Sequence, residues 1–296
     1  MDERLFTCLA ARLEHEAVVL ATVHRARGAT PRRVGSRMLI AADWCAFSVG
    51  GGQAEARVIA TARTLLTNAQ DETDLAIDLS GRAGAAGVCG GHMQVRLQRW
   101  HGAADCARAQ ALCAALRRGE TLDWQPAPDL PPQRLRPQAR LLIVGAGHCG
   151  LALHQAAQAL GFDIWVQDAR AECFADGRFA GAAVLCGEPA VLAQALDTAR
   201  EVYAVLLNRD YASDVAALEV LCRRPPCFLG MMGSARRIAA VRAALPQYAA
   251  PLQCLHAPIG LDIDAQTPEE IAVSILAQLV QARRARERAA PCLHAD

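Results

Sequence analysis

The sequence predicts an α/β protein with a small mixed α/β domain at its N-terminal side and a doubly wound parallel sheet at its C-terminal side. Three observations carry that expectation. Residues 141–285 alternate short apolar runs with stretches of helical period, as repeated strand–helix units do. The first hundred or so residues mix helix-length and strand-length patterns without that regular alternation. Between them lies "DWQPAPDLPPQRLRPQAR", where five of the 14 prolines fall within residues 126–137, more than a helix or a central strand tolerates. Residues 123–139 therefore read as an extended linker, separating a domain over 1–122 from one over 140–296.

In order along the chain, a helix is expected near residues 2–15 and strands at "AVVLATVHR" and "RMLIAA". "GGGQAEARVIATARTLL" opens a second helix. "TDLAIDLS" and "MQVRLQRW" are strands, the latter alternating Met93, Val95 and Leu97 against polar neighbours. "ADCARAQALCAALRRG" closes the first domain as a helix that Gly119 stops. In the second domain strands fit 141–144, 162–166, 182–185, 202–207 and 227–230, and helices fit 148–160, 211–223, 234–244 and 268–285.

Composition narrows the function classes. A net charge of +1 supplies no bulk attraction to nucleic acid or an anionic membrane. No stretch approaches the roughly 18 uninterrupted apolar residues of a membrane span, and the acidic, amphipathic start lacks the layout of a signal peptide. A cytoplasmic protein is expected. The 12 cysteines are scattered without a C-x-x-C pair, which argues against a zinc ribbon. All 31 basic residues counted as Lys or Arg are arginine, so neither Schiff-base chemistry nor a P-loop lysine is available.

The run "LLIVGAGHCG" ends in Gly145, Gly147 and Gly150 at G-x-G-x-x-G spacing, between a strand and a helix, with Asp168 at the end of the following strand. Such glycines let backbone N–H groups approach a diphosphate at a helix N-terminus, and the acid can accept from a ribose hydroxyl, so the domain is Rossmann-like. A tight turn without ligand is the alternative. His148, at the helix start, stays uncommitted.

In the first domain "RARGATPRRVGSRMLI" crowds Arg25, Arg27, Arg32, Arg33 and Arg37 around Gly28, Pro31 and Gly35, a density that suits a compact anion; a solvated basic loop is the plainer reading. "SVGGGQAEA" places Gly50, Gly51 and Gly52 before a helix with Glu55 in its first turn, baring backbone donors to an anion. Glu55 also serves as a favourable charge at a helix N-terminus. "AAGVCGGHM" brackets Cys89 with glycines, leaving its sulfur accessible for thiolate chemistry or metal contact. At "FLGMMGSARR" a strand ends, Gly233 permits a tight turn and Ser234 caps the next helix, so Arg236 or Arg237 would add a second anion site facing the glycine fingerprint.

Together these segments resemble the XdhC/CoxI family, accessory proteins of molybdenum hydroxylases such as xanthine dehydrogenase. The resemblance spans nearly the whole chain. It rests on G-x-x-P-R-x-x-G-x-x-M at Gly28–Met38, "GGGQAE", "VCGG", "GAGHCG", the D-x-R of Asp168–Arg170, "FLGMMGSARR" and "HAPIGLDIDAQTPEEIAVSI". It implies an XdhC/CoxI-type first domain and a Rossmann second domain. It also implies a protein that binds molybdenum cofactor (molybdopterin), shields it during sulfuration and helps insert it into an apo-hydroxylase. Many relatives carry a cysteine where this chain has Gly52, which leaves Cys89 as the thiol and metal-contact candidate. The helix start that often reads T-H or T-R is Asn208-Arg209 here.

The resulting expectation is a cofactor carrier rather than an enzyme, with Arg32, Gly50, Gly51, Gly52, Glu55 and Cys89 in one domain and Gly145, Gly147, His148, Gly150, Asp168, Arg170, Gly233, Ser234, Arg236 and Arg237 in the other. Its partners would be the apo-hydroxylase, a cysteine desulfurase and, as an option, a second copy, but neither nucleic acid nor membrane. The competing reading is an NAD(P)-dependent oxidoreductase with a dinucleotide on the Gly145–Gly150 loop. A nucleotide-sensing regulator is a third.

Overall fold

The computed structural model describes residues 2–289. Two compact units make up the chain: the first ends at Arg136, and the second begins at Pro137 and also takes in Arg118–Glu120.

The first unit runs α1 (Asp2–Leu13), β1 (Val18–Arg27), β2 (Arg37–Ile40), β3 (Cys45–Phe47), α2 (Gly52–Thr67), β4 (Glu72–Asp78), β5 (His92–Trp100), α3 (Gly102–Arg117), β6 (Leu122–Trp124) and β7 (Gln133–Leu135). Its five-stranded antiparallel sheet has the order β3-β2-β1-β5-β4. β1 shows why "AVVLA" reads as a continuous apolar run rather than an alternation. Val19, Ala21 and Val23 pack with Ala54, Val58 and Leu65 of α2, while Val18 and Leu20 pack with Leu5, Phe6 and Leu9 of α1 and Leu116 of α3. Both faces are covered, so both parities are apolar.

The proline-rich segment departs from the linker expectation. β6 and β7 pair antiparallel as a small hairpin, with Trp124 opposite Gln133. Trp124 and Leu135 are buried in the α1–α3 core. Prolines suit the loop and flanks of such an edge hairpin because their missing N–H groups face no sheet partner.

The second unit runs β8 (Arg140–Val144), α4 (His148–Ala157), β9 (Asp163–Asp168), β10 (Ala183–Cys186), α5 (Leu192–Leu196), β11 (Val202–Leu206), α6 (Tyr211–Arg223), β12 (Phe228–Met231), α7 (Ala235–Ala244), α8 (Ala249–Gln253), β13 (Leu255–His256) and α9 (Pro268–Ala289). Six parallel strands take the order β10-β9-β8-β11-β12-β13. In order of appearance that is 3-2-1-4-5-6, the doubly wound arrangement of a Rossmann fold, with its switch point between β8 and β11. Leu141 and Ile143 face α4 and α9, and Leu142 and Val144 face α5, α6 and α7. The expected helix over 148–160 ends at Ala157 and tightens into a single 3-10 turn over Gln158–Leu160. Among the described residues no helix is long and apolar enough to cross a membrane.

Candidate functional site

The second unit carries a crevice of about 410 Å³ at its switch point. Gly145 and Gly147 line its floor, Asp168, Ala169, Arg170, Glu188 and Pro189 one end, and Leu207–Asp210 with Ala212, Ser213 and Ala216 the other. Two glycines of the fingerprint act through close approach. A side chain on Gly150 would overlap the Gly145 carbonyl oxygen, and one on Gly145, at φ +110°, would lie 2.9 Å from the Leu207 carbonyl carbon. Gly150 thus lets α4 sit against the turn without lining the crevice itself. His148 is the first residue of α4, and its Nδ1 accepts from the Arg209 guanidinium at 3.1 Å, so the histidine reaches the crevice through Arg209.

Asp168 is not a free acceptor. Its Oδ1 accepts from the backbone N–H and the Nε of Arg170, and its Oδ2 from the Ala146 N–H and an Arg170 Nη, all at 2.8–3.0 Å. Burial pushes this carboxyl up, but the Arg170 hydrogen bonds and the Ala146 N–H outweigh it and hold the group below the usual carboxylate range. The expected contact to a ribose hydroxyl is replaced by an Asp168–Arg170 pair, because the D-x-R spacing lets the guanidinium fold back onto its own acid.

Arg237 is corrected as well. It donates to the carbonyl oxygens of Asn208 at 3.1 Å, Arg209 at 3.0 Å and Asp210 at 2.7 Å, and it is ion-paired with the fully buried Asp214. It clamps the wall of the crevice instead of facing a ligand. Neither it nor Gly233, Ser234 and the exposed Arg236 lines the crevice. Ser234 does cap α7, accepting from the Arg237 N–H. Ser234→Ala should therefore lower stability by about 1 kcal/mol in urea unfolding while leaving ligand binding alone; a loss of binding without destabilisation would contradict the capping role.

In the first unit the strand pairing gathers the other candidates at one end of the sheet. Arg27 on β1 lies opposite His92 on β5, Thr22 opposite Arg37, and Met38 opposite Phe47. The β1–β2 loop, the turn after β3 and the β4–β5 loop all emerge there. A side chain on Gly91 would overlap the Ala29 carbonyl oxygen, and one on Gly50 would lie 2.7 Å from Cγ of Pro31. The arginine loop is thus in contact with both the glycine turn and the Cys89 loop.

Within that cluster Arg25, Arg27, Arg32 and Arg33 are exposed. Arg37 is not part of it. Its side chain is buried, hydrogen-bonded to Asp2 at 2.8 Å and to Gln133, and stacked 5.0 Å from the Trp124 ring; burial lowers its pKa against the pull of Asp2. Glu55 stabilises the glycine turn, accepting from Ser48 Oγ at 2.6 Å and the Gly51 N–H at 3.2 Å. Gly52 begins α2. Cys89 is exposed and free. Among the described residues no three His, Cys, Asp or Glu side chains cluster as a metal site. The crevice residue Glu188 and the Asp214–Arg237 pair escaped the sequence reading.

A Rossmann unit thus follows an antiparallel α/β unit that presents exposed arginines, a glycine turn and an exposed cysteine. The chain belongs to the XdhC/CoxI family: residues 11–75 match the XdhC and CoxI family and residues 141–279 match the XdhC Rossmann domain. It is 30% identical over 285 residues to "Uncharacterized protein YqeB" of Escherichia coli K12, covering 93% of this chain and 45% of that protein. It is 29% identical over 153 residues to a probable xanthine dehydrogenase subunit from Bacillus subtilis 168, covering 51% of this chain and 45% of that protein. The chain thus spans under half the length of these curated relatives. A solved structure described as a xanthine dehydrogenase from Bacillus halodurans superposes with a TM-score of 0.85 at 23% identity, covering 98% of both chains, and so shares the fold.

Proposed function

We propose that this protein binds molybdenum cofactor at the arginine–glycine–cysteine end of its first unit, shields it during sulfuration and assists its insertion into a molybdenum hydroxylase such as xanthine dehydrogenase. The observation that supports this reading is the contact of the arginine loop with two sequence-distant segments, seen at Gly91 against Ala29 and at Gly50 against Pro31. The donor set fits the cofactor. Guanidinium groups such as Arg32 match a phosphate, the Gly50 and Gly51 N–H groups being held by Ser48 Oγ and Glu55, and the Cys89 thiolate is a soft donor for the metal. The cofactor supplies a dithiolene-bound metal; the protein holds it, orients it and keeps water away. The apo-hydroxylase, a cysteine desulfurase and a second copy of the chain are the partners proposed, and the cytoplasm the compartment.

The test is co-elution of purified full-length protein with molybdenum cofactor. Wild type is expected to retain it stoichiometrically, and Cys89→Ser to retain about tenfold less, about 1.4 kcal/mol of binding, with unchanged melting. Equal retention by Cys89→Ser would remove the thiol from the site. Hydride transfer from bound NADH with no cofactor retained would overturn the carrier reading.

A further inference from the structure

The crevice of the second unit has a charge arrangement that the cofactor reading does not use. Asp168 spends both oxygens on four N–H donors, which is about all that a carboxylate can accept. A ribose diol arriving there finds no open lone pair. Arg170 commits its Nε and one Nη to Asp168, but a guanidinium has five N–H donors. Its side chain is 49% exposed and lines the crevice. What the Asp168–Arg170 pair offers is therefore cationic N–H, and the carboxylate left at this end of the crevice is Glu188.

The opposite end carries a cation too. Arg209 lines the crevice, and its Nε lies 4.0 Å from where a side chain on Gly147 would begin, at the N-terminus of α4. The position suits the diphosphate of a nucleotide laid over the turn. Asp210, the nearby acid, is turned to its own helix and accepts from Ser213 N and Oγ at 2.8 and 2.7 Å. Glu188 also lines the crevice, at the end of the next strand out, where it can accept from the exocyclic amino group of a base.

We propose that the second unit binds an adenine dinucleotide carrying a 2′-phosphate on its ribose, of the NADP(H) kind, with Arg170 as the specificity-determining residue and Arg209 on the diphosphate. A second phosphate satisfies the remaining Arg170 donors, whereas an unphosphorylated ribose must first break a bidentate ion pair. The proposal stands apart from the cofactor cluster of the first unit.

Titration of the full-length protein with NADPH and with NADH at one ionic strength decides it. Wild type is expected to bind NADPH at least about tenfold more tightly than NADH. Arg170→Ala should weaken NADPH and strengthen NADH, because it releases Asp168, and so erase or invert the preference. Arg170→Lys should keep part of it, and Arg209→Ala should weaken both ligands alike. The proposal is overturned if wild type binds NADH as well as NADPH, if it binds neither at millimolar concentration, or if Arg170→Ala leaves the ratio unchanged. Should Arg170→Ala fail to fold, the wild-type preference and Arg170→Lys still decide.

Discussion

Arg237→Ala is expected to destabilise the second unit by about 3–5 kcal/mol, the usual cost of removing one partner from a buried ion pair. Asp214 is completely buried on α6, and Arg237 joins it to the carbonyl oxygens of Asn208, Arg209 and Asp210. Asn208 Nδ2 donates to the same carboxylate at 3.2 Å, but an amide cannot neutralise it. Alanine would leave the charge unpaired and three carbonyl groups without their donor. The loop that carries Arg209 should loosen with it. Urea unfolding at pH 7.5 measures the loss, and a deficit below about 1 kcal/mol would show that the pair is dispensable.

The pH dependence gives an independent check. Burial pushes the Asp214 carboxyl above its ordinary value, and Arg237 opposes that rise. A carboxyl whose folded pKa is raised contributes stability that is complete below the unfolded value of about 3.9 and is lost as pH climbs through the folded one. Removing the guanidinium raises the folded pKa further. The deficit of Arg237→Ala should thus narrow as pH falls from 7.5 towards 5, because the buried acid can then become neutral. A constant deficit across that range would mean that the lost carbonyl contacts, not the charge, carry the effect.

The second large effect is expected from Gly91→Ala. The new methyl would overlap the Ala29 carbonyl oxygen and approach that of Arg27 at 2.6 Å. Both obstacles are backbone, and Gly91 itself is tied down: its carbonyl oxygen accepts from the Leu79 N–H at 2.9 Å. The arginine loop must move away from the Cys89 loop, at a cost of about 1–3 kcal/mol. Cofactor retention should fall by more than about tenfold, since Arg32 and Cys89 would be separated while neither has changed. Gly90 is the control. A side chain there meets nothing within 4 Å, although its φ of +85° strains any substitution, so Gly90→Ala should cost stability without spreading the loops. If Gly91→Ala retained cofactor like wild type, the contact between the loops would have no part in binding.

Much of this protein was legible from the residues alone, for a definable reason. The β8 run "LLIVG", the glycine spacing and the apolar stripes of α6 and α9 are local signals, and each element they predict is present. The sequence carries a further local signal: Asp214 falls on the stripe Ala217, Leu218, Leu221, at i, i+3, i+4 and i+7, where an acid must be buried. The short elements β3, α5, α8 and β13 have too few residues to show a period. The hairpin at 122–135 was hidden because proline content speaks for irregular backbone but not for where that backbone packs.

Residue order alone set the two-part architecture, the succession of strand–helix units, the glycine turns and the kinship that joins them. Which charges are free was left to the tertiary packing. Arg37, Arg170 and Arg237 look alike among the chain's 31 arginines, yet one is sealed beneath Trp124, one is folded onto Asp168 and one is locked to Asp214. Arg32 and Arg33 stand exposed, and Arg170 keeps the donors that Asp168 does not use. A guanidinium's role depends on which carboxylate or carbonyl oxygen the fold brings within about 3 Å, and no spacing along the chain encodes that distance.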